Sequence, residues 1–261
     1  MSIALQTTEL TKSFGGVLAV EELSLAVEEG EIVGLIGPNG AGKTTVFNLV
    51  TGIYAPTAGG ISLFGEEIAG QPPDRIVRRG LARTFQNIRL FKNLTVLDNV
   101  VIALDLNHPL YSLPQALLGN PPFVQGRVKK SERQLRRMAM EMLEQVGIGD
   151  SATHRADSLP YGAQRKLEIA RALALQPRLL LLDEPAAGMN PEETAALTAM
   201  IRSLRDRFDL TILLIEHHMD LVMELCDRIC VLNFGRELAC GTPRQIRSDP
   251  EVLRAYLGEK S

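Results

Sequence analysis

The 261-residue sequence predicts an α/β fold: a mostly parallel sheet core, an antiparallel β flank and an inserted α-helical subdomain. Three observations carry this. A glycine-rich run, Gly37 to Thr44, stands between an apolar strand-like segment and a helical one. Two short apolar runs, Leu179–Leu182 and Thr211–Ile215, have the composition of parallel strands covered on both faces. Between them and the glycine run, residues 88–165 change character, as an insertion would.

The elements follow in order. Ala4–Thr7, Leu23–Val27 and Ile32–Gly34 read as short strands with turns between them. Ile61–Phe64 follows the Pro/Gly-rich turn Pro56–Gly60. These strands would form the antiparallel flank. Glu31–Ile36 reads as a buried strand and Thr45–Val50 as a helix. Residues 105–128 carry four prolines and little periodicity, and read as an irregular insertion. Ser131–Gln134 then fits a capping box, followed by one apolar helix face of Leu135, Met138, Met142, Leu143 and Val146. A helix over 163–174 follows, and Met219, Val222, Met223 and Cys226 mark the inward face of a later one. The chain is read as one domain, with 1–87 and 166–261 as the core and flank and 88–165 as the helical subdomain.

Composition narrows the function. Lys and Arg number 28 against 31 Asp and Glu, net −3, which is no electrostatic footprint for nucleic acid. No apolar run approaches the ~18 residues that span a bilayer. The opening segment carries no secretory pattern, so a membrane role must go through a partner. Three cysteines, Cys226, Cys230 and Cys240, are an odd, sparse set that argues for a reducing compartment and for core packing.

Gly37-Pro38-Asn39-Gly40-Ala41-Gly42-Lys43-Thr44 fits the phosphate-loop pattern without a gap. Its glycines let backbone N–H groups approach phosphate oxygens. Lys43 adds a positive charge, Thr44 a hydroxyl for Mg²⁺, and Thr45 opens the helix whose dipole favours the anion. The motif marks a P-loop NTPase core that would bind a nucleoside triphosphate with Mg²⁺. Asp183 and Glu184 end the four-leucine strand, where two acids are costly unless they face a cleft and meet a cation. Asp183 would hold the metal and Glu184 would activate water as the general base. His217 would hold Glu184 and the water in register, while His218 would face solvent. Gln86, in the strand-like run Arg83–Asn87, has an amide suited to sensing the metal or its water. Phe14 would stack on the base, with a core position as the alternative.

A second glycine-bearing segment, Leu159-Pro160-Tyr161-Gly162-Ala163-Gln164-Arg165, precedes the acidic strand. Its helix also points a positive end at phosphate, although Lys43's loop already supplies a phosphate site. A head-to-tail pair resolves this: Tyr161 to Gln164 of one subunit would close on ATP held by the other.

With these motifs in order, the chain resembles the nucleotide-binding subunits of ABC transporters over essentially its whole length. Within them it is similar to the ATP-binding proteins of bacterial branched-chain amino acid importers. The cues are ARTFQNIRLF at 82–91, the Pro160-Tyr161 signature, DEPAAGMNP at 183–191, IEHHM at 215–219 and RAYLGE at 254–259. The resemblance implies an ABC-type nucleotide-binding domain with a RecA-like core and ATP as its nucleotide, peripheral on the cytoplasmic face of the inner membrane. It implies pairing with a second ATPase subunit, copy or paralogue, and docking on two transmembrane permease subunits. A solute-binding protein would deliver substrate, and no nucleic acid is involved. Tyr161-Gly162-Ala163 stands where the superfamily commonly has Gly-Gly-Gln, Asn190 where it often has Asp, and His218 where Asp often follows the histidine. Alternative readings are an importer of urea, short amides or other amino acids, a soluble ABC ATPase acting on nucleic acid or ribosomes, and a lipid exporter ATPase. The Pro-Tyr signature and the C-terminal motif favour import.

Overall fold

The computed structural model describes residues 2–107 and 122–257. It divides into Met1–Gln86 with Arg178–Ser261, and Asn87–Pro177.

The first unit is the α/β core with its flank. Its strands are β1 (Ile3–Phe14), β2 (Val17–Leu23), β3 (Ala26–Glu28), β4 (Ile32–Ile36), β5 (Ala58–Leu63), β6 (Glu66–Glu67), β7 (Leu81–Arg83), β8 (Leu179–Asp183), β9 (Thr211–Ile215), β10 (Arg228–Asn233) and β11 (Arg236–Gly241). The core sheet runs β11-β10-β4-β9-β8-β7, parallel except for β11 at the edge. β4, β8 and β9 are buried at every residue, as their unbroken apolar sequences require. The flank has the order β2-β1-β5-β6, with β3 also paired to β1. Leu5, Leu10, Val20 and Leu63 of the flank share one apolar cluster with Phe47 and with Leu35 of β4. β1 is far longer than the sequence suggested, because its alternation is broken by register shifts that bend the strand.

Helices α1 (Lys43–Val50) and α2 (Pro73–Arg78) belong to this unit. The second unit holds α3 (Val96–Asn107), α4 (Pro122–Gln145) and α5 (Tyr161–Ala174). The first unit resumes with α6 (Pro191–Phe208), α7 (Met219–Leu225), α8 (Pro243–Ser248) and α9 (Pro250–Leu257). α6 opens on a full capping box from Asn190 to Glu193 and ends at Asp209 with φ +50°.

Four expectations change. The helical unit extends to Pro177, not 165, because α5 packs on α3 and α4. Ser131 is no cap, since α4 already begins at Pro122. Residues 105–107 end α3 and 122–128 are helical, while 108–121 of the expected irregular insertion lie outside the described residues. The inward face of α7 is Leu221, Val222 and Leu225, with buried Cys226 just beyond it.

The cysteines also differ from expectation. Cys230 and Cys240 are register partners across β10 and β11 and are joined by a disulfide, leaving buried Cys226 as the free thiol. Their relation is invisible until the hairpin is known, and the cysteine count no longer speaks for a reducing compartment. Among the described residues, no helix is long and apolar enough to cross a membrane.

Candidate active site

β4 delivers the phosphate loop at the carboxyl end of the parallel sheet, where open α/β sheets place their ligands. Two glycines are dictated by close approach. A Cβ on Gly37, at φ +152°, would lie 2.1 Å from the Leu232 carbonyl oxygen. One on Gly42, at φ +101°, would lie 2.4 Å from the Ala19 carbonyl oxygen. The loop is thus wedged between β10 and β2. Gly42 caps α1 without a side-chain hydrogen bond, so the helix presents backbone N–H groups, the form of an anion site.

Lys43 is buried, and its Nζ donates to the carbonyls of Gly37 at 2.7 Å and Pro38 at 2.9 Å. Burial pushes its ammonium below the usual lysine range, while the negative charge of Glu184 opposes this. A cleft of about 320 Å³ opens over the loop, lined by Asn39 through Thr45 together with Gln86, Glu184 and His217.

The three candidate catalytic residues meet there. Glu184 Oε2 accepts from Gln86 Nε2 at 2.7 Å, and Glu184 Oε1 lies 2.9 Å from His217 Nε2. Adjacent parallel strands make this possible, since Asp183 at the end of β8 is in register with Ile215 of β9. Glu184 has φ +49°, a left-handed conformation uncommon for a non-glycine residue, and its N–H donates to the Ile215 carbonyl. That turn directs its carboxylate into the cleft rather than along the strand. Gln86 lies beyond β7, which ends at Arg83, and not within a strand as expected.

Asp183 is buried and does not line the cleft directly. Its Oδ2 accepts from Arg83 Nη2 at 2.7 Å. Thr44 and Gln86 both line the cleft, and Asp183 adjoins Glu184 in sequence. The Thr44 hydroxyl, the Gln86 amide and the Glu184 carboxylate give the cleft oxygen donors of the kind Mg²⁺ takes, while the expected ligand Asp183 is paired with Arg83.

Glu216 had no assigned role. Buried just past β9, its Oε1 accepts from Ala186 N at 2.8 Å, and its Oε2 from the N–H groups of His217 at 2.7 Å and His218 at 3.0 Å. His218 Nδ1 lies 3.1 Å from the same oxygen, so this histidine is tied to Glu216 rather than turned only to solvent. An acid ending an apolar strand was the available signal, the same one that marked Asp183.

Other candidates lie apart. Phe14 is 42 % exposed, packs edge-on against Tyr54 at 5.2 Å and does not line the cleft. Gly37 packs on β10, and Pro38 lines a neighbouring, open pocket with Phe234 and Arg254. Partial burial raises the Tyr256 hydroxyl of α9 to about 12. In the other unit, Tyr161, Gly162, Ala163 and Gln164 form the first turn of α5, which starts two residues before the expected 163. The Tyr161 hydroxyl accepts from Arg165 Nη2 at 3.1 Å, and Arg165 pairs with Glu168 at 3.0 Å.

Comparison with known proteins places this geometry. The ABC transporter family model matches residues 20–187, and a model described as branched-chain amino acid ATP-binding cassette transporter matches 236–260. The chain is 50 % identical over 255 residues to the high-affinity branched-chain amino acid transport ATP-binding protein BraF of Pseudomonas aeruginosa, covering 98 % of each. It is 49 % identical over 257 residues to the Escherichia coli K12 protein LivG, described in the same words, again with 98 % of each covered. The lipopolysaccharide export system ATP-binding protein LptB of Haemophilus influenzae is 35 % identical, with 100 % of this chain and 99 % of that one covered. Among solved structures, a nucleotide-free ATP-binding cassette from an ABC transporter superposes with a TM-score of 0.83 at 29 % identity, covering 99 % of this chain and 100 % of the other.

Proposed function

The chain belongs to the ABC transporter family of ATP-binding proteins, and on that premise we propose that it is the ATP-hydrolysing subunit of an importer for branched-chain amino acids. The observation that carries hydrolysis is the meeting of Glu184, Gln86 and His217 over the Lys43 loop. The transported class rests on half-identity to BraF and LivG along the whole chain and on the C-terminal match at 236–260. The lower identity to LptB speaks against lipid export.

In this reading the backbone N–H groups of residues 39–45 and the Lys43 ammonium hold the triphosphate. Phosphate oxygens replace the Gly37 and Pro38 carbonyls as partners of Lys43. Thr44, Asp183 and Gln86 would hold Mg²⁺, which would supply positive charge to offset that of the triphosphate. Glu184 accepts a proton from the attacking water, and His217 fixes the rotamer of that carboxylate. Gln86 reports the nucleotide state to the helical unit that follows it at Asn87. Phe14 stacks on the base. Tyr161 to Gln164 serve the ATP of a second ATPase subunit, copy or paralogue, in a head-to-tail dimer. The pair docks on two permease subunits at the cytoplasmic face of the membrane, and a solute-binding protein supplies the amino acid.

Uptake of labelled leucine in cells lacking this gene, complemented with wild type or Glu184→Gln, tests the proposal. Loss on deletion and rescue by wild type alone supports it. Unchanged leucine uptake would overturn the substrate class and turn the search to urea and other amino acids.

A further inference from the structure

Arg83 is a buried cation that the hydrolytic reading does not use. Its side chain is 6 % exposed, and that of its partner Asp183 is 4 %. Nη2 holds Asp183 Oδ2 at 2.7 Å. Nη1 reaches the other way, to Asn48 Oδ1 at 2.7 Å and Thr51 Oγ1 at 3.3 Å, in the last turn and C-cap of α1. The guanidinium also lies 5.4 Å from the Phe47 ring centre and 5.0 Å from that of Phe85. Its two arms therefore bind different elements, and aromatic rings fix it.

Each element so joined carries one of the three candidate metal ligands. α1 begins at Lys43-Thr44, β8 ends at Asp183, and Gln86 stands three residues past Arg83 itself. A short helix clamped at its end has little freedom at its start. We infer that Arg83 is a positioning residue that sets Thr44, Asp183 and Gln86 at the mutual distances a hard divalent cation requires. This rests on the Mg²⁺ reading given above. Lysine could keep the charge at this position, but it has no planar fork to span two elements. Charge and geometry are therefore separable here.

The test is nucleotide affinity of the full chain with and without Mg²⁺, read with a fluorescent ATP analogue, alongside thermal unfolding. Arg83→Lys keeps the charge. Asn48→Leu removes the shorter bond of the arm to α1 and leaves the ion pair whole, so it guards against a folding failure. Both should weaken the Mg²⁺-bound analogue, Arg83→Lys by about 10- to 100-fold, as loss of outer partners does at metal sites. Affinity for the metal-free analogue should stay at the wild-type level. The double variant should lose little more than Arg83→Lys alone, since both cut one connection. Wild-type Mg²⁺ stimulation in both single variants would overturn the inference. So would a parallel loss of metal-free affinity, which would mark a merely structural role. Asp183→Asn separates the two levels. If it leaves Mg²⁺ stimulation intact, the metal reading itself fails. If it abolishes stimulation while Arg83→Lys does not, only the role of Arg83 fails.

Discussion

Glu184 Oε1 and His217 Nε2 stand 2.9 Å apart, although they come from the ends of two different strands. Neither residue alone identifies the site. Their contact depends on β8 and β9 being parallel neighbours, and on the left-handed turn at Glu184.

Glu184→Gln should therefore bind ATP as the wild type does and lose turnover by about 10²- to 10⁴-fold, the usual contribution of a positioned base. His217→Ala should lower kcat while the carboxylate remains, because it removes only one of the two groups holding Glu184. Steady-state phosphate release beside equilibrium ATP binding checks both. Wild-type release from Glu184→Gln would remove Glu184 from its role.

Lys43→Ala should weaken ATP binding by about 10- to 100-fold, the scale of one or two charge-assisted hydrogen bonds. Titration calorimetry measures this directly. An unchanged affinity would mean that the backbone N–H groups hold the phosphates without it.

Glu216→Ala should cost about 2–4 kcal/mol, since three backbone N–H groups at two turns lose their acceptor. Urea unfolding reads the loss as a lower midpoint at constant slope. Turnover should fall as well, because the turn that presents His217 loosens.

Acid stability should reflect Glu31. Burial raises its carboxyl, but Arg228, donating at 2.7 and 2.9 Å, and the Glu28 N–H outweigh burial and hold it below its ordinary value of 4.5. A folded-state value below the unfolded one gives stability that is present above about pH 4.5 and lost as pH falls through the folded value. Arg228→Gln should lower stability at neutral pH and flatten that part of the acid limb. Equal acid slopes in variant and wild type would count against the pair.

Cys226 should be inert in the native protein. Burial pushes its thiol up to about 12, with Asp227 adding to the effect, so almost no thiolate exists at pH 8. Iodoacetamide should label it only after denaturation, as mass spectrometry would show.

The phosphate loop, the acidic strand and the strand before His217 were legible in the sequence because each is a short run with one composition and one use. Elements whose evidence lies in pairing were less so. β1 extends to Phe14 through bulges that interrupt its alternation, and the β10–β11 hairpin turns at Phe234-Gly235, both with positive φ. A sequence does not announce that phenylalanine will occupy such a turn. The start of α4 was misplaced because Ser131 to Gln134 has the form of a cap inside a longer helix. Arg83 escaped for a different reason, since a charged residue at a strand end looks solvated until its partner is known; Glu216, an acid after an apolar run, carried the same signal as Asp183 and went unread.

The pocket that Arg254 and Ala255 of α9 share with Pro38 to Ala41 of the phosphate loop has a practical side. Glu251, Arg254 and Ala255, inside the stretch matched by the branched-chain model, line a pocket with the phosphate loop, so a group attached to α9 sits beside the nucleotide grip. Reporters are better placed on β1, where Ile3 is exposed and lines neither the cleft nor that pocket. A label on α9 that altered ATP affinity would be reporting its own attachment.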